Sequence, residues 1–218
     1  MLKVFTRQVT PFDQNGRVIA CSETKECVVI DPGGDEDEFI EVIEEEGLTC
    51  KGIWLTHSHL DHCGGVAPLL AKLPVPLLAH PFEKDLRAAV VTIVSMYGLP
   101  PSGWHNCPEP TVHITGGETL TLGKLKAEVL FTPGHSPGHV SFFFPSEKLV
   151  ISGDALFAGS IGRTDLPGGN HETLIKSIQE KLLTLSDDTR VLSGHGEDTT
   201  IGRERKSNPF LMGLLGKD

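Results

Sequence analysis

The sequence lacks an uninterrupted apolar run that is long enough to cross a membrane. Its best apolar stretch, residues 66–79, is broken by Pro68, Lys72, Pro74 and Pro76, whereas a membrane-spanning helix needs about 20 consecutive apolar residues. The first residues, Met-Leu-Lys-Val-Phe-Thr-Arg, also lack the apolar core of a secretory signal. These absences predict a cytoplasmic protein that has no membrane partner.

Positive charge is scarce as well. The chain has 19 lysine and arginine residues against 29 acidic residues, which gives a formal net charge of -10. Its densest basic stretch is Arg203, Arg205 and Lys206, interrupted by Glu204, a pattern typical of a solvated helix face. Because an acidic surface is repelled by a phosphate backbone, we expect no nucleic-acid partner.

Paired cysteines and domain linkers are also missing. The five cysteines form no Cys-x-x-Cys unit, so they are predicted to be small buried hydrophobes in a reducing compartment. No repeat, low-complexity tract or linker divides the 218 residues, of which 39% are hydrophobic and 22% charged. We therefore predict one globular domain over residues 1–218. The sequence leaves its oligomeric state open.

Short apolar runs alternate with amphipathic helical patterns along the chain, which indicates an α/β fold. Helices are predicted to begin after Gly34, with an end at Gly47, and near Asn170. The segment 97–110 is dense in proline and glycine, so it is predicted to be an irregular surface excursion in a position to border a pocket.

Four strand-like runs end in small or turn-forming residues that are followed directly by a potential metal ligand. These ligands are His57, His135, Asp154 and His195. If the four strands lie side by side with the same polarity, their ends bring the ligands to one edge, where sites of α/β proteins are usually found. Residues far apart in the sequence would then form one site.

Residues 57–62 read His-Ser-His-Leu-Asp-His, a density of ligands that packing does not explain. Imidazole and carboxylate suit zinc, iron and manganese, and the lack of cysteine argues against a closed structural zinc site. His57 and His59 alternate along an extended segment and can face one metal, whereas Asp61 and His62 fall at the turn into a helix and can face another.

With the three later candidates, the ligands number seven, which suits two metals better than one. A carboxylate such as Asp154 can bridge two ions that lie roughly 3.5–4 Å apart and share a hydroxide.

The chain resembles the metallo-β-lactamase superfamily, and small glyoxalase II-type proteins in particular. The resemblance is carried in order by Ile-Asp-Pro-Gly-Gly, Thr-His-Ser-His-Leu-Asp-His, Thr-Pro-Gly-His, Ser-Gly-Asp and Ser-Gly-His-Gly.

The resemblance implies an αββα four-layer sandwich with two divalent metals at the edge of the packed sheets, zinc being preferred and iron or manganese being alternatives. It assigns three ligands to the first metal, three to the second and one to both: His57, His59 and His135; Asp61, His62 and His195; and Asp154. Asp31 is predicted to orient the 57–62 loop, with a simple turn role as the alternative.

The other histidines are left out of the predicted site. His139 follows His135 in the same motif, but in the family the second histidine is a neighbour of the metals rather than a ligand. Isolated histidines are most often surface or core residues, which is the prediction for the remaining ones: His80, His105, His113 and His171.

The fold alone leaves the reaction open. The missing signal disfavours an exported β-lactamase, the acidic chain disfavours an RNA-processing nuclease, and a lactonase has no dedicated support. A mononuclear iron persulfide dioxygenase does not use the second-metal ligands, which this chain retains. We therefore predict hydrolysis of a small acyl thioester, such as S-lactoylglutathione to D-lactate and glutathione, with Asp154 bridging the metals and Asp61 steering the attacking hydroxide.

Recognition of glutathione does not follow from the predicted chemistry. Long glyoxalase II enzymes have a C-terminal helical domain that supplies basic glutathione-binding residues, and the chain after Phe210 has little room for one. The loop after Asp154 resembles that of small glyoxalase II-like proteins and persulfide dioxygenases. Within it, Arg163 can bind a substrate carboxylate or pair with Asp165, and the sequence does not choose between these roles.

Overall fold

Two six-stranded sheets form the centre of the computed structural model, which describes residues 1–100 and 102–212. The strands of the first sheet lie in sequence order: β1 (Leu2–Val9), β2 (Gln14–Cys21), β3 (Glu26–Ile30), β4 (Thr49–Trp54), β5 (Leu77–Ala79) and β6 (Val112–His113). The later strands are β7 (Thr119–Leu122), β8 (Leu125–Phe131), β9 (Val140–Phe144), β10 (Leu149–Gly153), β11 (Leu156–Phe157), β12 (Ser160–Ile161), β13 (Arg190–Ser193) and β14 (Thr199–Thr200). The second sheet has the order β14-β13-β10-β9-β8-β7, and β11 pairs with β12 in a small hairpin.

Helices cover the outer face of each sheet. They are α1 (Glu36–Glu45), α2 (Leu60–Cys63), α3 (Val66–Lys72), α4 (Lys84–Ala88), α5 (Val90–Met96), α6 (His171–Ser177) and α7 (Ile201–Ser207). Short helical turns are found at Pro81–Glu83, Pro145–Glu147 and Ile178–Leu182. Within the described residues, no helix combines the length and the apolar character that a membrane crossing requires.

The alternation of side chains along the strands produces three separate apolar layers. In β2, Val18 and Ala20 belong to the apolar layer that includes residues of α1, α2, α3 and α5, while Ile19 faces the other sheet. In β10, Ile151 packs between the sheets, while Val150 packs with α6 and α7. Because successive side chains of a strand point to opposite faces, each sheet is buried on both sides. The layer order is helix, sheet, sheet, helix, which confirms the predicted αββα sandwich.

Both predicted helices are present. The first is α1, which is followed by Gly47 with a φ of 60°, a left-handed conformation that favours glycine after a helix. The second is α6, where the Asn170 side chain accepts a hydrogen bond from the backbone N–H of Thr173 at 2.8 Å. Arg203, Arg205 and Lys206 lie on α7, as their predicted helical position requires.

The segment 97–110 is irregular between α5 and β6, as predicted, although residue 101 lies outside the described residues. The predicted single domain over residues 1–218 likewise extends beyond the described part, which ends at residue 212.

The ligand-bearing strands do not all lie side by side, so that expectation is wrong. β4 belongs to the first sheet, whereas β8, β10 and β13 belong to the second. β10 and β13 are parallel neighbours, and β9 runs antiparallel between β8 and β10, so the three strands of the second sheet share one polarity. The ligands converge because the two sheets pack face to face and their ligand-bearing ends meet at one rim.

A buried arginine joins the two sheets at this rim. The Arg17 guanidinium, on β2, donates hydrogen bonds to the carbonyl oxygens of Ser193 at 2.8 Å and Asn15 at 3.1 Å. The backbone N–H of Asn15 also donates to Gly194 O at 2.7 Å. Burial lowers the pKa of Arg17 to about 10, so the side chain stays charged at neutral pH. It fixes the end of β13, which is followed by His195.

Candidate metal centre

The first group of predicted ligands is assembled from two loops. His57 and His59 lie in the extended segment between β4 and α2, and His135 follows β8. Their ligating nitrogens all lie within 4.8 Å of one another. The backbone at Gly134 has a φ of 128°, and a Cβ there would collide with the backbone of Leu174. Glycine is therefore required to bring His135 into the group.

The second group contains Asp61 and His62, both on α2, and His195, which follows β13. His195 Nε2 lies 3.2 Å from Asp61 Oδ2, and His62 Nε2 lies 3.8 Å from the same oxygen. An added Cβ at Gly194 would collide with the Asp154 carboxylate. The glycine before His195 thus leaves room for the carboxylate between the groups.

Asp154 lies between the two groups and contacts both. Its Oδ2 is 3.5 Å from His135 Nε2 and 3.5 Å from His195 Nε2, while its Oδ1 is 3.4 Å from His62 Nε2. The structure therefore brings all seven predicted ligands together, from four separate strand ends. Because Oδ2 lies near a ligand of each group, the carboxylate is in the position that a metal bridge requires.

The outer nitrogen of four histidines is held by a hydrogen bond. His135 Nδ1 is 2.8 Å from Arg163 O, and His195 Nδ1 is 3.1 Å from Phe12 O. Because a carbonyl oxygen only accepts, each Nδ1 carries the proton and each Nε2 offers its lone pair to the centre. His57 Nδ1 lies 3.0 Å from Thr56 Oγ1, and His62 Nδ1 lies 3.0 Å from an Asp31 oxygen.

Several buried atoms of the centre have no hydrogen-bond partner among the described residues. They are the Nε2 atoms of four histidines and one carboxylate oxygen: His57, His59, His62, His135 and Asp154 Oδ1. Each unpaired buried polar group costs roughly 1–3 kcal/mol. Since imidazole nitrogens and carboxylates are good ligands for zinc, iron and manganese, divalent metal ions would satisfy all of these atoms at once. The residues present therefore fit a metal centre.

Burial and neighbouring charges set the protonation of the ligands. Burial lowers the pKa of His59 to about 3 and holds the pKa of His57 well below its usual range. Burial alone would raise the pKa of Asp154, but the nearby histidines, His62 first, outweigh it and lower that pKa. Conversely, Asp154 and Asp61 outweigh burial at His62 and raise its pKa. Neutral imidazole and ionised carboxylate are the forms that bind metals, so His57, His59 and Asp154 favour the binding form, whereas His62 would release a proton when a metal binds.

Both carboxylate oxygens of Asp31 are engaged in hydrogen bonds to Thr56 or His62. One carboxylate oxygen accepts the backbone N–H of Thr56 at 2.7 Å, and the other accepts the Thr56 hydroxyl at 2.6 Å and contacts His62 Nδ1. Asp31 also lies near His57 and His62 in a possible three-ligand group, but both of its oxygens are already engaged. These contacts support the predicted orienting role, and a φ of 51° adds local strain.

The histidines left out of the predicted site have other environments. His139 uses both ring nitrogens: Nε2 accepts the backbone N–H of Asp154 at 3.0 Å, and Nδ1 contacts Thr132 Oγ1 at 2.9 Å. His80 Nδ1 accepts the backbone N–H of Phe82 at 3.1 Å. The remaining three are exposed: His105, His113 and His171.

Glu83 was missed by the sequence interpretation. It is fully buried, and its two carboxylate oxygens accept the backbone N–H groups of Ser58 at 2.8 Å and Gly138 at 2.6 Å. Ser58 lies between two ligands of the first group, and Gly138 lies in the loop that contains the third. Burial raises the pKa of Glu83 despite these bonds. A single carboxylate therefore ties together the two loops that build the first group.

We expect Glu83→Ala to lower the free energy of unfolding by roughly 2–4 kcal/mol, because two buried N–H donors lose their acceptor. Glu83→Gln should cost less, since the amide still offers one oxygen. Urea denaturation followed by circular dichroism measures both changes. Glu44→Ala, at an exposed position of α1, is the control and should stay within about 0.5 kcal/mol. Equal losses at both positions would contradict the bridging role.

Most of the chain matches a known protein family. Residues 9–195 match the family model described as the metallo-beta-lactamase superfamily. The chain belongs to this superfamily. The family predicted from the ordered motifs is thus confirmed, and the match spans every candidate ligand from the first group to His195.

Two curated proteins are similar to this chain over most of their length. The probable metallo-hydrolase YqgX of Bacillus subtilis is 46% identical over 191 residues, which are 87% of this chain and 89% of that protein. The hydroxyacylglutathione hydrolase GloC of Haemophilus influenzae is 42% identical over 210 residues, which are 93% of this chain and 95% of that protein.

Two solved structures superpose closely on this chain. The BLEG-1 B3 metallo-beta-lactamase is 39% identical, with a TM-score of 0.87 over 97% of this chain and 99% of that one. TTHA1623 in a di-iron-bound form is 38% identical, with a TM-score of 0.86 over 95% of this chain and 100% of that one. Membership and these relatives support a metal-dependent hydrolase with a histidine and aspartate centre for divalent metals.

Proposed function

We propose that the protein is a two-metal hydrolase of small acyl thioesters. The observation that carries the proposal is the convergence of two three-ligand groups on Asp154, with unpaired donor atoms facing inward from both. A mononuclear centre would leave Asp61, His62 and His195 without a purpose at the site. The kinship with the hydroxyacylglutathione hydrolase GloC supports a thioester as the substrate.

Divalent ions bound by these residues would supply a hydroxide nucleophile near neutral pH and polarise the thioester carbonyl. The chain itself orients the reactants. Asp61 Oδ2, which lies 3.2 Å from His195 Nε2, steers the attacking oxygen, and Asp154 holds the two groups at a fixed separation. The leaving group needs little help, because a thiol has a pKa of about 8.5 and departs readily as the thiolate.

The direct test is a thiol-release assay. Metal-loaded protein should convert S-lactoylglutathione or another small acyl thioester to one free thiol and one acid per turnover, measured with a thiol-reactive dye and by acid titration. Loss of the activity with chelator and its return with added metal are the controls. A loaded protein that releases no thiol from any small acyl thioester would contradict the proposal.

We also expect about two transition-metal ions per chain when the protein is purified without chelator. Zinc, iron and manganese are all compatible with this ligand set, and a similar protein is known in a di-iron-bound form. Stripping the metals should lower Tm by roughly 5–10 °C, because binding stabilises only the folded chain. Elemental analysis and calorimetry measure the two quantities. A stoichiometry that stays at one after supplementation would contradict the two-metal centre.

β-Lactam hydrolysis is the second candidate, because the BLEG-1 B3 metallo-beta-lactamase is 39% identical and superposes with a TM-score of 0.87. The same ligand groups would serve, with a lactam carbonyl in place of the thioester carbonyl. A chromogenic cephalosporin belongs in the same assay. A kcat/KM for it above that of every thioester tested would favour this candidate.

We also propose the partners of the protein, its compartment and its domain organisation. We place a small-molecule substrate at the centre and neither nucleic acid nor membrane as a partner, in a cytoplasmic, one-domain protein. A fluorescence anisotropy titration with labelled single-stranded RNA tests the first exclusion, and binding at physiological salt would contradict it.

A further inference from the structure

A cleft of about 880 Å³ opens over the metal centre. Five predicted ligands border it: His59, Asp61, His135, Asp154 and His195. The rest of its lining is mainly apolar and comes from four separate parts of the chain. Six of these side chains, here called the apolar wall, are Phe12, Leu86, Ile93, Met96, Phe157 and Leu166.

The apolar wall includes large side chains that water would otherwise contact. Met96 is 81% exposed and Phe12 is 36% exposed. Single exposed apolar residues are common, but adjoining ones that line a cleft mark a surface that binds an apolar group. The position of this surface beside the ligands places that group within reach of the reacting carbonyl.

The wall is attached to the metal centre. The Phe12 ring packs edge-on against Tyr97, with centroids 6.4 Å apart, and against Trp104, at 6.3 Å. The carbonyl oxygen of the same residue accepts the hydrogen bond from His195 Nδ1 at 3.1 Å. One residue therefore both orients a ligand and forms part of the wall, so the two surfaces keep a fixed relative position.

The charges of the cleft are poorly suited to glutathione, which has two carboxylates. Apart from the predicted ligands, the charged residues described in the lining are Asp85 and Arg163. The Arg163 guanidinium donates two hydrogen bonds to Asp165, at 2.8 and 2.7 Å, so the pairing alternative from the sequence is the one observed. A glutathione carboxylate would have to displace Asp165, and Asp85 would repel it.

We infer that the cleft selects uncharged thioesters with an apolar acyl chain, and that the apolar wall determines this specificity. The inference rests on the proposed thioester hydrolysis and names its substrate class. The acyl chain lies along the wall while its carbonyl faces the ligands. The thiol part needs no charge, because no unpaired cation among the described lining residues is present to bind one.

The test is a two-by-two comparison of substrates on the metal-loaded protein. Acetyl and hexanoyl groups are each carried by glutathione and by neutral N-acetylcysteamine, and kcat/KM is divided by the rate of hydroxide-catalysed hydrolysis. We expect hexanoyl to exceed acetyl at least about 10-fold on both thiols, since one methylene in an apolar pocket is worth roughly 10–200-fold. For each acyl group the neutral thiol should serve at least as well as glutathione, because Asp85 repels a carboxylate and the Arg163 guanidinium is already paired with Asp165.

Variants of helix α5 test whether the apolar wall causes the preference for hexanoyl. Ile93→Ser and Met96→Ser, both in the wall, should each reduce the ratio of hexanoyl to acetyl kcat/KM at least about 3-fold. Met96 is so exposed that its replacement leaves the folded core intact. The matched control is Val91→Ser, on α5 but outside the cleft lining, which should keep the preference.

Three results would contradict either the inferred specificity or the proposed thioester hydrolysis on which it rests. A preference for acetyl over hexanoyl, or hydrolysis of the glutathione thioesters alone, would overturn the apolar specificity and keep the thioesterase. A preference for hexanoyl that survives both wall variants would overturn the role of the wall. No hydrolysis of any of the four would overturn the proposed function itself.

Discussion

Replacing Asp154 by Asn should reduce kcat/KM at least about 10³-fold while leaving the protein folded. The amide has nearly the same size, so the packing around Gly194 is preserved. It removes the charge that lies 3.4–3.5 Å from His62, His135 and His195, and with it the acceptor shared by both groups. Thiol release, metal content and far-ultraviolet circular dichroism measure activity, binding and folding separately.

His113→Ala is the control for this change. His113 is exposed and lies on the edge strand β6, and it contributes no atom to the ligand groups. We expect its activity and metal content to match those of the unaltered protein. Equal losses at both positions would undermine the assignment of Asp154, and an unfolded Asp154→Asn protein would point to a structural role in place of a chemical one.

The ligand groups were predictable because each one has a local signature. His57 to His62 concentrate four ligands in six positions, and His135, Asp154 and His195 each follow a strand-like run and a glycine. Turn residues after a strand place a side chain at the end of a sheet, so the sequence itself indicates where these residues lie. The ordered family motifs then indicated which ligands belong to which metal.

The partners that hold the ligands had no such signature. Arg163 and Phe12 act through their backbone carbonyl oxygens, which every residue possesses, so the residue type carries no information. Glu83 is one of many acidic residues, and its position beside Ser58 and Gly138 depends on how distant segments pack. Long-range contacts of this kind are set by the tertiary structure rather than by local pattern.

The sheet to which each ligand-bearing strand belongs was also not predictable from the local sequence. The apolar runs of β4, β8, β10 and β13 are alike in the sequence, and nothing local indicates that β4 joins a different sheet. What separates them is the order of strand pairing: β4 lies between the parallel strands β3 and β5, and β13 lies beside β10. The convergence of ligands was correctly expected, but it arises from two packed sheets rather than one.

Thiol release is expected to be independent of oxygen. Thiol release from an acyl thioester should proceed at equal rates under air and under nitrogen, because hydrolysis transfers the acyl group to water and consumes no oxidant. A persulfide dioxygenase would instead take up oxygen and would need only one metal. Asp61, His62 and His195 form a second ligand group beside Asp154. Because a one-metal dioxygenase does not need this group, its presence favours the oxygen-independent reaction.

His195→Ala decides between the two reactions. In the hydrolase it removes a ligand of the second group and the contact with Asp61 at 3.2 Å, so thiol release should fall by about 10²–10³-fold in both atmospheres. His171→Ala, at an exposed position, should keep full activity. In a mononuclear dioxygenase the same His195 change would leave oxygen uptake largely intact. Oxygen consumption with glutathione persulfide that survives His195→Ala, in a protein that hydrolyses no thioester, would replace the hydrolase with the dioxygenase.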